Sequence, residues 1–425
     1  MTLVALFGLF VVLLLLGVPI AIALALASIA VLAATTDFTM YLIAQRMFSS
    51  LDSSALVAIP GFVLAGAIMA HGGISPRIIA ALRAWVGHLP GGLSLVTVAS
   101  CSLFAAMSGS SPATAAAVGG TLIPAMVANG YDKRYAMGVV AASGTLGILI
   151  PPSITFVLIG VTSGESIGRL FMAGVIPGLI IGALLACVAI VMAKIKGYRS
   201  DARATWQERW ATSKQAIPGL LLPVVVLGSI YGGITTPTEA AVLSVFYALA
   251  VAIFLYREMD WATMRTVMRE AVGLTSMIFL IIPAAMTFAM YLTSEQVPQH
   301  VVAWVGSQGL GIGGFWMVVM AMFFIMGTFL DAVAIVLITL PILLPIIRAL
   351  DINLVHFAVA MVINMEIAMI TPPVGLNLFV VSGVSNAPLA DAVRGVIPFL
   401  LVMIVGLMLI VLFPSLSLFL ANRVY

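Results

Sequence analysis

The chain has 425 residues, of which 63% are apolar and only 8% are charged, and its formal net charge at pH 7 is +3. Soluble domains carry about 25% charged residues, so this composition excludes a soluble enzyme, a nucleic-acid-binding protein, a disulfide scaffold and a disordered chain. Continuous apolar runs of about 20 residues indicate membrane-spanning helices rather than a β-barrel. We therefore predict an all-α polytopic membrane protein.

The first half of the chain, residues 2–193, divides into apolar helices and one unusual segment. Membrane helices are expected at about 2–16, 19–34, 54–70, 136–163 and 168–193, and an amphipathic interfacial helix at 74–90. The segment at about 93–127 is too long for one crossing and is interrupted by Ser108-Gly109-Ser110-Ser111-Pro112. Such a break is tolerated inside a membrane only where it is buried in protein or lines a cavity, which favours a re-entrant helical hairpin.

A polar stretch separates this half from a second one that resembles it. Residues 194–216 form a basic linker, and the second half covers 217–420. Its helices are expected at about 217–233, 237–256, 271–291, 355–381 and 392–420, and its hairpin at about 313–346 with a tip near Gly327-Thr328-Phe329.

The two halves are internal repeats. Pro151-Pro152 recurs as Pro372-Pro373, and Gly174-Val175-Ile176-Pro177 recurs as Gly395-Val396-Ile397-Pro398, both 221 residues later. Ala84-Trp85-Val86-Gly87 recurs as Ala303-Trp304-Val305-Gly306 at almost the same offset. Matches in constant order and spacing indicate a duplication.

Five crossings and one hairpin per half is an odd number, so the second half is predicted to enter the membrane from the opposite side. That arrangement is an inverted repeat, which is common in secondary transporters. With the N-terminus outside, 14 basic residues fall in inner loops and 4 in outer ones. This positive-inside bias agrees with the parity. The parity depends on residues 2–34 forming two helices rather than one.

Sites of catalysis are not recognisable. The four histidines do not have metal-ligand spacing, and the chain has no HExxH, GxSxG or P-loop motif, which argues against an intramembrane hydrolase or an ATP-driven pump. The candidate chemistry lies instead in the two hairpin tips and in the two broken helices at about 136–163 and 355–381. Small residues, hydroxyl groups and freed carbonyls there are suited to a hard cation such as sodium, and a helix N-terminus at the tip favours an anion.

The sequence also suggests roles for one serine and three acidic residues in or near the apolar segments. Ser111 is expected to cap the helix that begins at Pro112. Asp331 is either an ion-binding carboxylate or the N-cap of the outer arm of the second hairpin. Glu239 is expected to cap a helix, and Glu366, beside Asn364, is open to either a structural or a functional interpretation.

Four motifs in order resemble one family. They are 108–114 (SGSSPAT), 144–153 (GTLGILIPPS), 236–241 (TPTEAA) and 370–379 (ITPPVGLNLF). Together they resemble the large membrane (permease) subunit of tripartite ATP-independent periplasmic (TRAP) transporters, and the resemblance covers essentially the whole chain. It implies a sodium-coupled importer of organic acids in the bacterial inner membrane, working by an elevator mechanism and using no cofactor beyond its coupling ions.

The resemblance also implies site residues. One sodium ion would bind at Ser108, Ser110, Gly144 and Gly147, and another at Gly327, Thr371 and Gly375, with Asp331 nearby in a position where some members carry Glu. The carboxylate substrate would lie between the two sites, near Ser111, Thr328 and Asn377. No lysine or arginine is available in the membrane to hold it.

Partners follow from the same resemblance. The family uses a small four-helix membrane subunit, expected here as a separate chain, and a periplasmic substrate-binding protein. The carried carboxylate is not identified, although a dicarboxylate is the default expectation. The alternatives are a self-sufficient sodium–dicarboxylate symporter and an ion channel or structural membrane scaffold.

Overall fold

A computed structural model describes residues 2–297, 299, 300, 303 and 311–424. Within these residues the chain is helical and no strand occurs, which confirms the all-α prediction. Among the described residues, eight helices are long and apolar enough to cross a membrane. Most of the second copy of the Ala-Trp-Val-Gly repeat, residues 304–306, lies outside the described residues.

The first half contains ten α-helices: α1 (Thr2–Leu15), α2 (Ile20–Thr35), α3 (Met40–Ser49), α4 (Ala58–His71), α5 (Ile74–Val86), α6 (Gly92–Ser108), α7 (Ser111–Ala128), α8 (Lys133–Gly144), α9 (Ile154–Ser163) and α10 (Ile167–Lys196). The described part of the second half contains α11 (Trp206–Tyr231), α12 (Pro237–Ala250), α13 (Trp261–Ser294), α14 (Gly311–Gly327), α15 (Ala332–Ala349), α16 (Leu354–Ala368), α17 (Leu376–Ser385), α18 (Leu389–Leu412) and α19 (Ser415–Val424). Short helical turns lie at Ser54–Val57, Thr145–Ile148 and Val251–Leu255.

Residues 2–34 form two helices, as the parity argument requires. Gly17 has a φ of +80°, a left-handed conformation that glycine adopts without steric cost, and α2 follows Pro19 directly. The two helices pack against each other. The turn between α1 and α2 is therefore a genuine reversal of the chain.

Three boundaries differ from those expected. The linker at 194–216 is largely helical, because Thr205 and Glu208 form a capping box that starts α11 at Trp206. Helix α13 likewise begins before 271, at Trp261, where Asp260 accepts a hydrogen bond from the Thr263 amide. The segment at 392–420 is two helices, since Pro414 cannot donate a backbone hydrogen bond and the chain restarts at Ser415.

The helix α3 was not expected at all. It is short and begins after Thr39, whose side chain accepts a hydrogen bond from the Leu42 amide at 3.3 Å. Its sequence includes Gln45 and Arg46, so no long apolar run marks it.

The helices can be divided into two groups, which contact each other chiefly through α5 with α6 and α13 with α15. Helices α1 to α5 and α11 to α13 contact one another, and we call them the outer group. The two hairpins (α6–α7 and α14–α15), the broken helices (α8–α9 and α16–α17) and α10, α18 and α19 form the hairpin group. Within the hairpin group, elements from both halves interlock, because α8 packs along α18 and α7 packs on α17.

The contact between α8 and α18 is close enough to need glycine on both helices. A side-chain carbon added at Gly395 would collide with the Arg134 carbonyl oxygen, and one added at Gly138 would collide with the Gly395 carbonyl. This pair of glycines therefore sets the separation of the two helices.

We predict that Gly395→Ala destabilises the protein by about 1–3 kcal/mol, the usual range for forcing a methyl group into a packed contact. Thermal unfolding of the purified protein in detergent would show a lower midpoint. The matched control is Gly383→Ala in α17, where an added carbon meets open space. Equal midpoints for the two variants would contradict the proposed contact.

Candidate functional site at the hairpin tips

The tip of the first hairpin is a two-residue turn. Helix α6 ends at Ser108, Gly109 has a φ of +60°, and Ser110 is extended before α7 begins at Ser111. The expectation that Ser111 caps this helix is wrong, because Ser110 occupies the N-cap position and its side chain makes no capping hydrogen bond. Helix α7 thus begins at Ser111, one residue earlier than expected.

Hydroxyl groups hold this tip together. The Ser108 and Thr114 hydroxyls lie 2.8 Å apart, and the Thr114 hydroxyl donates to the Ser110 carbonyl oxygen at 2.8 Å. Thr114 was absent from the predicted site residues. The signal that could have found it is its spacing, since a threonine four residues after the tip can reach back to the carbonyl that precedes its helical turn.

The first broken helix lies directly against this tip. After α8 the chain makes a short turn at Thr145–Ile148 and passes through Pro151-Pro152, whose peptide bond is cis. Ser153 then caps α9, and its hydroxyl donates to the Ile148 carbonyl oxygen at 2.6 Å. A buried hydroxyl thus satisfies one of the carbonyls that the break leaves free.

Glycines permit the tip and the break to meet at the level of their backbones. A side-chain carbon on Gly147 would lie 2.5 Å from the Ser110 carbonyl oxygen, and one on Gly144 would lie 2.7 Å from the Ala115 side chain. Of the four residues expected at the first sodium site, Ser108, Ser110 and Gly147 therefore meet at one point, whereas Gly144 faces Ala115, about one turn farther along α7. The Ile154 amide also faces the Gly109 carbonyl oxygen, at 3.5 Å.

The second half repeats this contact with different residues. The Val374 amide donates to the Thr328 carbonyl oxygen at 3.3 Å, the counterpart of the Ile154–Gly109 interaction. A side-chain carbon on Gly327 would lie 2.5 Å from the Ala368 side chain. Gly375 has a φ of +61° and lies close to the Thr371 carbonyl oxygen.

Asp331 occupies the N-cap of α15. Its carboxylate accepts a hydrogen bond from the Ala334 amide at 3.4 Å, which is the capping arrangement that the sequence allowed. A capping carboxylate keeps lone pairs that can bind a cation, so the capping role and an ion-binding role are compatible. Its position beside Gly327 and Thr328 places it at the second tip.

A cavity of about 310 Å³ separates the two tips. It is lined by residues 109–112 of the first hairpin and 327–333 of the second, together with apolar residues such as Met277 and Met369. Ser111 and Thr328, two of the three residues expected at the substrate, are among its lining residues. No lysine, arginine or histidine of the described residues belongs to this lining.

Asn377, the third expected substrate residue, lies behind the cavity wall. It is fully buried, and its amide nitrogen donates to the Ser111 hydroxyl at 2.7 Å and to the Ala141 carbonyl at 3.2 Å. It therefore joins the second broken helix to the first hairpin and fixes the orientation of Ser111. Its carbonyl oxygen has no hydrogen-bond partner among the described residues.

The two other acidic residues in apolar segments differ in role. Glu239 forms a capping box with Thr236 at the start of α12, as expected. Glu366 is fully buried in α16, and neither of its carboxylate oxygens has a partner within the described part of the chain. The neighbouring Asn364 donates to the Met320 carbonyl oxygen at 2.9 Å.

A second cavity, of about 470 Å³, adjoins the first tip. It shares Ser110, Pro112 and Leu274 with the cavity between the tips. At its other end are His71 and Glu270, whose side chains lie 2.9 Å apart.

Comparison with known proteins agrees with this architecture. Residues 7–416 match the family model described as the tripartite ATP-independent periplasmic transporter, DctM component. The chain belongs to the DctM family of TRAP-transporter large permease subunits. It is thus a multi-pass membrane protein of a transporter family, which agrees with the prediction that it is not an enzyme.

The relatives of this chain are named after different substrates. The C4-dicarboxylate TRAP transporter large permease protein DctM of Pseudomonas aeruginosa is 44% identical, with 89% of each chain covered. The 2,3-diketo-L-gulonate TRAP transporter large permease protein YiaN of Escherichia coli is 39% identical, with 94% of each chain covered. The isethionate TRAP transporter permease protein DctMQ of Oleidesulfovibrio alaskensis is 40% identical over 98% of this chain and 66% of its own length.

One solved structure shares the fold across nearly the whole chain. The YdaH transporter of Alcanivorax borkumensis, described as having an unusual topology, superposes with a TM-score of 0.63 over 98% of each chain. At 14% sequence identity, this likeness concerns the fold alone.

We predict that Ser111 and Asn377 are energetically coupled. Ser111→Ala and Asn377→Ala should each lower the thermal unfolding midpoint, and the double variant should lose less than the sum, because both single changes break the same buried hydrogen bond. Interacting residues commonly show a coupling of about 0.5–3 kcal/mol.

The control pairs Asn377→Ala with Ser102→Ala in the same hairpin. Among the described residues, the Ser102 hydroxyl donates to the Val98 carbonyl of its own helix and to no other group, so these two effects should add. Additive effects for Ser111 and Asn377 would mean that the hydrogen bond carries no stability.

Proposed function

We propose that this chain is the large membrane subunit of a sodium-coupled TRAP transporter that imports an organic acid. The observation that carries the proposal is the cavity between the two hairpin tips. Two helices of the hairpin group, α7 and α15, begin at this cavity, and a helix N-terminus carries partial positive charge and unpaired amide groups. These groups and the hydroxyls of Ser111 and Thr328 would bind a carboxylate without a cationic side chain.

Two sodium ions would complete the charge balance. The first would bind where the Ser108–Ser110 tip meets Gly144 and Gly147, and the second where Gly327 and Asp331 face Thr371 and Gly375. Broken helices supply carbonyl oxygens at such points, and oxygen ligands are those that hard cations prefer. Cations beside the substrate would neutralise it and tie its movement to the sodium gradient.

An elevator movement would alternate access to this site. The hairpin group would be the moving body, and the outer group together with a small membrane subunit would be the scaffold. In the state described here, the cavity from Ser110 to the His71–Glu270 pair would connect the first tip with the cytoplasm. The state would accordingly be one that faces inward.

Ion pairs support the inverted topology behind this assignment. Arg77 with Glu258, Arg83 with Asp201, and Arg134 with Asp391 each join two residues that the topology puts on the cytoplasmic side. Arg169 with Glu165 joins two residues assigned to the opposite side. The subunit would reside in the bacterial inner membrane and receive its substrate from a periplasmic binding protein. A dicarboxylate is the first substrate to test, because several relatives carry that name.

The test is uptake of labelled succinate into proteoliposomes that contain this chain and its small partner subunit. An inward sodium gradient and the loaded binding protein should both be required. Uptake without the binding protein would favour a self-sufficient symporter. Saturable uptake that ignores sodium would contradict the proposal, as would ion conduction without substrate.

Substitutions at the proposed ion sites can be tested in the same uptake assay. Ser110→Ala and Asp331→Asn should each raise the sodium concentration for half-maximal uptake about tenfold, the effect of losing roughly 1.4 kcal/mol. Asparagine caps helices as well as aspartate does, so Asp331→Asn removes the charge and keeps the cap. Ser102→Ala is the control for the first hairpin, and unchanged sodium titrations in both test variants would remove these residues from the ion sites.

A further inference from the structure

A third cavity lies at the other end of the molecule, away from His71 and Glu270. It has a volume of about 610 Å³ and is walled by α3, by the ends of α9 and α13, and by the C-terminal half of α15. Its residues lie on α3 and on the parts of α9, α13 and α15 whose ends the topology directs toward the periplasm. Among the residues that the structure describes, it shares no lining residue with the cavity between the tips.

Two arginines face this cavity. Arg46 comes from α3 and Arg348 from the last turn of α15. Both are exposed, and neither has a carboxylate within 4.0 Å among the described residues. Acidic residues occur nearby in sequence, but none of those that the structure describes lines the cavity.

The rest of the lining fits a small organic anion. The Thr162 hydroxyl is buried without a hydrogen-bond partner among the described residues, so it is available to a ligand. Apolar side chains such as Met286 and Leu344 offer contact to a carbon skeleton. A guanidinium group binds a carboxylate through two parallel hydrogen bonds, and two such groups suit a molecule with two carboxylates.

From this arrangement we infer that the cavity is a periplasmic entry site, where Arg46 and Arg348 bind the carboxylate substrate before it reaches the hairpin tips. The inference takes its substrate class from the proposed function and adds a site to it. The two sites would then differ in chemistry. The positive charges of Arg46 and Arg348 would attract the anion at the periplasmic cavity, while the hairpin tips would bind it without a cationic side chain.

The position of the two arginines couples this site to movement. Arg46 belongs to the outer group and Arg348 to the hairpin group. Displacement of the hairpin group would therefore change the separation of the two guanidinium groups. A dicarboxylate bridged between them would be held in one state and released in the other.

The test measures ligand protection, which requires no transport. Ser294 also lines the cavity, and the variant Ser294→Cys, purified in detergent and also carrying Cys187→Ser, is labelled with a maleimide. The native Cys101 is buried and Cys187 is exposed, so this background leaves one reactive thiol. Succinate should slow the labelling at least threefold, and uncharged succinamide should not.

Substitution of the arginines makes the test specific. The succinate concentration that gives half-maximal protection should rise about tenfold for Arg46→Gln and for Arg348→Gln, as expected for the loss of one charge-assisted contact. Arg423→Gln is the matched control: Arg423 is exposed on the same predicted side, rests on the Phe419 ring at 4.1 Å, and lies outside the cavity. Protection that succinamide reproduces, or that survives in both glutamine variants, would overturn the inference.

Uptake separates this inference from the proposed function. In proteoliposomes with excess loaded binding protein, each glutamine variant should raise the half-saturating concentration of loaded binding protein about tenfold and keep the maximal rate within about threefold. A defect in uptake with no loss of succinate protection would assign the arginines to contact with the binding protein and overturn the entry site. Absence of uptake by the parent protein would overturn the proposed function, while the protection result would stand by itself.

Discussion

The architecture depends on one constraint, which is that backbone polar groups inside a membrane protein need partners. Two helices break at Pro-Pro pairs, and each break exposes amides and carbonyls that a continuous helix would have paired. In both halves a hairpin tip closes over the break, through Ile154 with Gly109 and through Val374 with Thr328. The closure leaves a small number of oxygen atoms and two helix N-termini around one cavity. The proposed ion and substrate sites therefore follow from how the backbone amides and carbonyls at the breaks find hydrogen-bond partners.

Much of this arrangement could be predicted from sequence because its signals are local. Proline pairs, a Ser-Gly-Ser-Ser-Pro tip and a constant repeat spacing mark the breaks and hairpins wherever they occur. The first hairpin and its break meet at Gly144 and Gly147, both of which were expected at an ion site. The unexpected elements were those that apolar length does not mark: α3, whose residues are mixed in polarity, and the polar starts of α11 and α13, which depend on the caps at Thr205 and Asp260.

Long-range partners were harder to predict. Asn377 was expected at the substrate because of its motif, but its hydrogen bond to Ser111 joins residues 266 positions apart and can be seen only once the halves are packed. The N-cap at the first tip was misplaced by one residue, since both serines have the chemistry to cap. The apposition of Arg46 and Arg348 around one cavity is of the same kind: each is an ordinary loop-side arginine in sequence, and only the fold gives them a shared environment.

The central claim is that substrate and sodium move together through the site between the tips. The most direct measurement is simultaneous flux of labelled sodium and labelled succinate in proteoliposomes with the binding protein present. The account predicts a fixed ratio of more than one sodium ion per succinate, with sodium influx that stops when succinate is omitted. Succinate uptake that proceeds with no accompanying sodium, or sodium influx that is independent of succinate, would contradict it.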